Sequence, residues 1–312
     1  MDIFLHVLWN NVLPLSLLIC IGIVMQRIFR LDIRTLSKMN FYLFSPALMF
    51  DLLYTTSISG KLFGSVLLFF VLFMVAQYTL VEIVGRLRGT DGARRAAMRN
   101  AVLFYNSANY GIPINQLAFS NNVYTQSIQI IIMMMQSLIP NTYGIYSVNA
   151  HKSNWRQIRK VILSMPIIYV IPLALILHGF ETPLPGFIET SVGYLSNAFI
   201  GTALFTLGVQ LGSMSSGFNM KIAVDVGIAT TLRLAVGPLL AWGAIFVLRL
   251  FMDIDDLTAA ALIVSSAVPT SLSSVLLAVE FDSEPDFASQ TVLATTAASL
   301  ITVTTVIYLL PI

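Results

Sequence analysis

Apolar residues fill runs about twenty long over nearly the whole chain, and the polar residues between them fall into short clusters. A run of roughly 20 apolar residues is what a helix rising 1.5 Å per residue needs to cross a bilayer core. The pattern therefore predicts ten spanning helices, at roughly 4–27, 33–55, 61–86, 94–119, 123–148, 158–179, 187–212, 219–250, 256–279 and 285–310. The expected fold is an all-α integral membrane protein with no soluble domain between the spans. Met1-Asp2-Ile3-Phe4-Leu5 lacks the basic flank of a cleaved signal peptide, so the first span is expected to stay in place.

Two of the ten spans are interrupted. In the fourth, Tyr105-Asn106-Ser107-Ala108-Asn109-Tyr110-Gly111-Ile112-Pro113 sets two amides, a glycine and a proline inside an apolar run. Pro113 removes a backbone donor and clashes with the carbonyl four residues earlier, a cost of roughly 3 kcal/mol in a helix interior. The ninth span carries a second break at Ser265-Ser266-Ala267-Val268-Pro269-Thr270-Ser271. Backbone groups freed in hydrocarbon must find partners, so such breaks persist where they line a polar cavity or are buried in protein. A lone break reads as an ordinary proline kink. A pair at corresponding positions points to a transporter's substrate site.

The two halves repeat. Val12 to Ile19 in the first span aligns with Val170 to Leu177 in the sixth, Ser137 to Tyr146 with Ser299 to Tyr308, and Pro113 with Pro269. The three offsets are 158, 162 and 156 residues. Residues 1–149 and 158–312 are thus expected to be two repeats of five spans joined by a basic linker at 150–157. Five is odd, so the repeats enter the membrane in opposite directions. Inverted repeats with crossed broken helices, here the fourth and ninth, are an architecture of secondary transporters that work by alternating access.

Composition agrees: hydrophobic residues make up 57% of the 312, charged residues 10%, and mean hydropathy is +0.83. The net charge of +2 carries no expectation of a nucleic-acid partner. Its distribution is informative, because fourteen of the seventeen Lys and Arg fall in loops on one side of the ten-span arrangement, which leaves Lys61 and Arg249 on the other side. The positive-inside rule then puts both termini outside a plasma membrane crossed many times. Cys20 is the only cysteine, which excludes an internal disulfide.

Crossing half-helices present unpaired N–H groups and the positive dipole end at mid-membrane, which suits an anion. Asn106 and Asn109, with Thr270, Ser271 and Ser273, offer neutral donors and acceptors there; their plainer role is to cap the breaks. The candidate substrate-binding set is Asn106, Asn109, Tyr110, Gly111, Pro113, Pro269, Thr270, Ser271 and Ser273, with Asn141, like Gln136, as a supporting amide. Ionisable residues within spans are expensive, so Asp51, Glu82, Asp225 and Arg233 are candidates for coupling to sodium or protons. His6, His151 and His178 stand apart from clustered carboxylates, and no hydrolase, zinc or phosphate-loop motif occurs, so no enzyme, metal or cofactor is expected.

Asn106-x-x-Asn109-x-Gly111-x-Pro113, Ala267-Val268-Pro269-Thr270 and Ser45-Pro46-Ala47-Leu48 resemble the auxin efflux carrier family, which includes plant PIN carriers and bacterial malate permease-like proteins. The resemblance covers essentially the whole chain. It implies the sodium/proton antiporter-like fold, with a scaffold domain of spans 1, 2, 6 and 7 and a transport domain of spans 3–5 and 8–10. It also implies a homodimer formed through the scaffold, a substrate-binding role for Asn106, and crossing prolines at Pro113 and Pro269. The long cytoplasmic loop of many plant members is missing, and Met49 stands where PIN carriers place a polar residue. The expected function is export or exchange of a small organic anion such as a carboxylate. The alternatives are a cation-coupled carrier of the same fold and a membrane receptor that binds an anion without moving it.

Overall fold

A computed structural model of the chain describes residues 13–55, 59–144, 147, 163–164, 166–213, 220–281 and 283–310. The start of the first span and the linker at 150–157 lie outside these residues, as do His6, His151, Lys152, Arg156, Arg159 and Lys160 and the side chain of Asn141. Among the described residues every regular element is helical.

The helices, in chain order, are α1 (Leu13–Phe29), α2 (Ile33–Met39), α3 (Ser45–Thr55), α4 (Gly60–Leu87), α5 (Gly92–Leu103), α6 (Ile112–Ala118), α7 (Val123–Ile139), α8 (Ile167–Gly179), α9 (Gly186–Ser213), α10 (Ala223–Thr231), α11 (Gly237–Arg249), α12 (Asp256–Ser266), α13 (Ser273–Glu280) and α14 (Pro285–Leu309). Four continuous stretches, Gly60–Leu87, Gly186–Ser213, Met220–Arg249 and Pro285–Leu309, are long and apolar enough to cross a membrane. At 28 residues, α4 is about 42 Å long.

Short polar residues set where the helices start. Ser59 accepts from the Leu62 N–H at 3.1 Å, Asp91 from Arg94 at 2.8 Å, Asn122 from Tyr124 at 2.9 Å, and Asp255 from Thr258 at 2.8 Å. Each satisfies an N–H that the first turn leaves without an intrahelical partner.

Prolines set where the helices widen. Pro46, Pro113 and Pro238 each lie two residues after a π turn, at Asn40–Phe44, Ser107–Gly111 and Leu232–Val236. A proline ring collides with the carbonyl four residues back, and a wider turn moves that carbonyl aside while keeping the chain helical. The second and eighth spans, expected to run unbroken, are widened in this way.

The helix ends gather at two poles. At one, Asp225 of α10 meets Arg88 at 3.1 Å and Arg94 of α5 at 3.2 Å, and Arg94 also meets Glu284, the residue before α14, at 2.7 Å. Glu82 of α4 is held there by Arg99, with Arg86 and Arg95 at 3.8 Å. At the other, the Tyr124 hydroxyl is 2.9 Å from Thr258 Oγ1 and 3.3 Å from Asp255. The long apolar sides between the poles carry exposed Leu, Ile, Val and Phe, the surface a lipid-facing helix presents.

Packing inside is close. A large apolar cluster runs through α4, α5, α7, α10 to α12 and α14, and a smaller one joins Leu48, Met49 and Leu52 of α3 to Ile112, Ile130, Phe199 and Ala203. Met49 is fully buried in this seam. In lipid the gain from such contacts is packing rather than exclusion of water, so small residues that let backbones approach matter most. Helices α1 and α9 meet at Gly22 and Gly208, where a Cβ on Gly208 would come within 2.9 Å of the Gly22 Cα. Gly208→Leu is expected to destabilise the protein by about 1–3 kcal/mol through forced separation of the two backbones. Gly201→Ala, on the same helix with open space around it, is expected to leave the melting temperature in detergent unchanged or raised.

The crossing of two broken helices

Helix α5 ends at Leu103 and the chain runs extended through Phe104 and Tyr105 before the π turn and α6. Helix α12 ends at Ser266 and the chain passes through Pro269 and Thr270 before α13. The two extended pieces pair as an antiparallel bridge, Tyr105 opposite Thr270. Asn106 N–H donates to the Pro269 carbonyl at 2.9 Å, and Ser271 N–H to the Phe104 carbonyl at 2.7 Å. Each break thus supplies the partner that the other lacks.

Some of the other polar groups at each break are served by the next helix along the chain. From α7, Gln136 Nε2 donates to the Leu103 carbonyl at 3.0 Å and its Oε1 accepts from Tyr105 N–H at 3.4 Å; Gln129 Nε2 donates to the Ser107 carbonyl at 2.8 Å. From α14, Thr295 Oγ1 accepts from Thr270 N–H at 3.3 Å, and the Ser299 hydroxyl lies 3.1 Å from the Tyr110 hydroxyl. A side chain at Gly111 would displace the Gln129 amide, whose Nε2 lies too close to where a Cβ would stand for both to fit.

Two helical N-termini open at the crossing, both capped by their own side chains. Asn106 Oδ1 accepts from Asn109 N–H at 3.1 Å, at the head of a helical run that continues through Ala118. Ser271 Oγ accepts from Ser273 N–H at 3.2 Å at the head of α13, and Ser274 Oγ donates to the Ser271 carbonyl. Asn109, Ser271 and Ser273 are half-buried, whereas Asn106 is only 7% exposed.

Two C-termini converge around Arg233. This arginine sits in the π turn between α10 and α11 with no exposed surface. Its Nη1 donates to the Val102 carbonyl of α5 at 2.9 Å, its Nε to the Val268 carbonyl at 3.1 Å, and its Nη2 to the Ser266 carbonyl of α12. The guanidinium carbon lies 4.5 Å from the Tyr105 ring centre and 5.9 Å from that of Phe73, within cation–π range.

The crossing therefore brings together most of the residues that the sequence singles out. Pro113 and Pro269 are buried within it, and Thr270 Oγ1 donates to the Ala101 carbonyl at 2.7 Å. Tyr110 is fully buried and engaged by Ser299, so its hydroxyl serves packing in this conformation. Of the coupling candidates only Arg233 lies here. Glu82 and Asp225 are held by arginines at one pole, and Asp51 lies half-buried on α3, which packs on α8 and α9. Gln129, Thr295 and Ser299 are not singled out by the sequence pattern. Their signal is amides seven residues apart on α7, and hydroxyls four apart on α14, along the buried face of apolar helices.

Apolar helices with two breaks that cross and repair one another define a membrane transporter. A family model described as "Membrane transport protein" matches residues 150–308, just over half of the chain, and the chain belongs to that family, an auxin efflux carrier-type transporter rather than an enzyme. It is similar to an "Uncharacterized transporter" of Methanothermobacter thermautotrophicus, 24% identical over 298 residues, 94% of this chain and 95% of the relative. A protein of Rhizobium meliloti named "Putative malonate transporter" is 28% identical over 132 residues, 42% of this chain and 39% of that one.

Replacing Gln136 by Leu leaves the Leu103 carbonyl and the Tyr105 N–H without their side-chain partner in a buried site. The expected cost is about 1–3 kcal/mol for each group left unsatisfied, read as a lowered melting temperature in detergent.

Proposed function

We propose that this protein is a secondary transporter of small organic anions, carboxylates among them, with the substrate held at the crossing and exposed alternately to the two sides. The observation that carries the proposal is the meeting of two capped helical N-termini, at Asn106 and Ser271, beside half-buried Asn109 and Ser273. Such ends favour negative charge. The name of the Rhizobium relative adds support for a carboxylate.

The finer architecture belongs to the same proposal: ten spans in two inverted five-helix repeats, a scaffold of spans 1, 2, 6 and 7, a transport domain of spans 3–5 and 8–10, and a scaffold-mediated homodimer. Its support is that each broken pair begins on an aspartate cap, Asp91 or Asp255, breaks at a comparable depth, and is repaired by the next helix. A plasma-membrane location with both termini outside is drawn from the basic loops. With the inside negative, anion exit gains about 2.3 kcal/mol per charge per 100 mV, so export needs no coupled ion.

Asn106→Asp tests the site. Aspartate caps a helix as well as asparagine, so the fold is expected to survive, while its charge opposes an anion at the same helix end. In proteoliposomes loaded with labelled malonate or other mono- and dicarboxylates, the variant is expected to lose at least about tenfold in apparent affinity, near 1.4 kcal/mol. Wild-type protein that moves none of these anions, with or without a membrane potential, refutes the function. An Asp variant that transports like wild type removes Asn106 from the site.

A further inference from the structure

Arg233 is a buried charge without a carboxylate in ion-pair contact among the described residues. Its partners are three backbone carbonyls: Val102 at the end of α5, Ser266 at the end of α12, and Val268 in the link that follows α12. A helix leaves its last four carbonyls without intrahelical partners and carries about half a negative charge there. Two such ends meet at this point, inside protein, where each unmet carbonyl is costly. In transporters built on broken helices, unwound carbonyls and half-helix C-termini are where a coupling sodium ion or proton binds.

The geometry points to Arg233 as a built-in substitute for a coupling cation: its guanidinium fills the carbonyl-lined position between the two broken helices, so the carrier works without binding an alkali cation there. An arginine keeps its proton under all ordinary conditions, and its planar fork reaches several oxygens at once, which a lysine head does with less reach. The two aromatic faces beside it are suited to a cation and contribute no competing negative charge. Arg233 lies in the π turn that precedes Pro238, and its guanidinium reaches both broken helices. The consequence for transport rests on the function proposed above; the occupancy of the carbonyl site by arginine does not.

The test uses purified full-length protein in detergent at constant ionic strength, with choline as the reference cation, and reads the melting temperature. Wild-type protein is expected to melt alike in choline, sodium, potassium and lithium. Arg233→Ala is expected to melt lower by about 5 °C or more, and to regain part of that loss saturably in low-millimolar guanidinium or in one alkali cation. A residue acting only as packing gives no such rescue. A saturable rise of the wild-type melting temperature with sodium, potassium or lithium overturns the proposal, as does a folded Arg233→Ala protein that answers to none of these cations. Should Arg233→Ala not fold in choline, Arg233→Gln, which keeps a donor and loses the charge, takes its place. Recovery of folded protein only when guanidinium or an alkali cation is present supports the proposal, and failure to fold in every cation overturns it. Melting needs no substrate, so a wild type that carries no carboxylate refutes the transport function while the melting curves still decide the role of the arginine.

Discussion

A backbone interrupted inside an apolar body must find other partners for its N–H and C=O groups, and much of the inner structure answers that constraint. Neither break could persist alone. The first gives its Asn106 N–H to the second and takes an N–H from Ser271, so each is the other's nearest partner. Groups that the bridge leaves over are met by Gln129 and Gln136 on one side and Thr295 on the other. With Arg233 spanning the two C-terminal ends, the crossing is tied by side chains from α7, α14 and the turn between α10 and α11, and loss of any one leaves buried backbone groups without that partner.

Proline is the second organising element, and its effect depends on the residues around it. After Asn40–Phe44 and Leu232–Val236 the helix resumes and stays apolar, so the result is a widened turn. Before Pro113 the asparagines and Gly111 supply alternatives to helical hydrogen bonding, and the same π turn becomes the entry to a fresh helix after an extended link. The widened turn at Leu232–Val236 then has a use of its own, because it carries an arginine that reaches both broken helices.

The helices and both breaks were legible in the sequence, because run length, helix caps and prolines act locally: Ser59, Asp91, Asn122 and Asp255 open helices at the boundaries read from apolar pattern. The antiparallel pairing of Tyr105 with Thr270 was not legible, since it joins residues 165 apart through backbone atoms that carry no side-chain signature. Glu82 and Asp225, like Arg233, are ionisable residues within spans, but they fall near span ends, where a side chain can reach the interface, whereas Arg233 lies deeper. The structure separates them by the groups at hand: arginines gathered at one pole answer the acids, and backbone carbonyls answer Arg233. Gln129 and Thr295 were hidden because a buried amide or hydroxyl in an apolar helix has many uses, and only the position of the break opposite fixes which one applies.

These arrangements sort charge across the crossing. The two C-terminal ends, which are negative, face inward onto a fixed cation, and the two N-terminal ends, which are positive, are capped by neutral groups, Asn106 Oδ1 and Ser271 Oγ. A neutral cap satisfies the N–H groups without cancelling the positive potential of the dipole, and Asn109 and Ser273, beside the two caps, are half-buried. Had an aspartate capped either end, as at Asp91 and Asp255 at the starts of α5 and α12, that potential would be neutralised. Aspartate thus starts each broken span and an amide or a hydroxyl caps each break, and this difference in charge between the caps is the feature on which the proposed anion site rests.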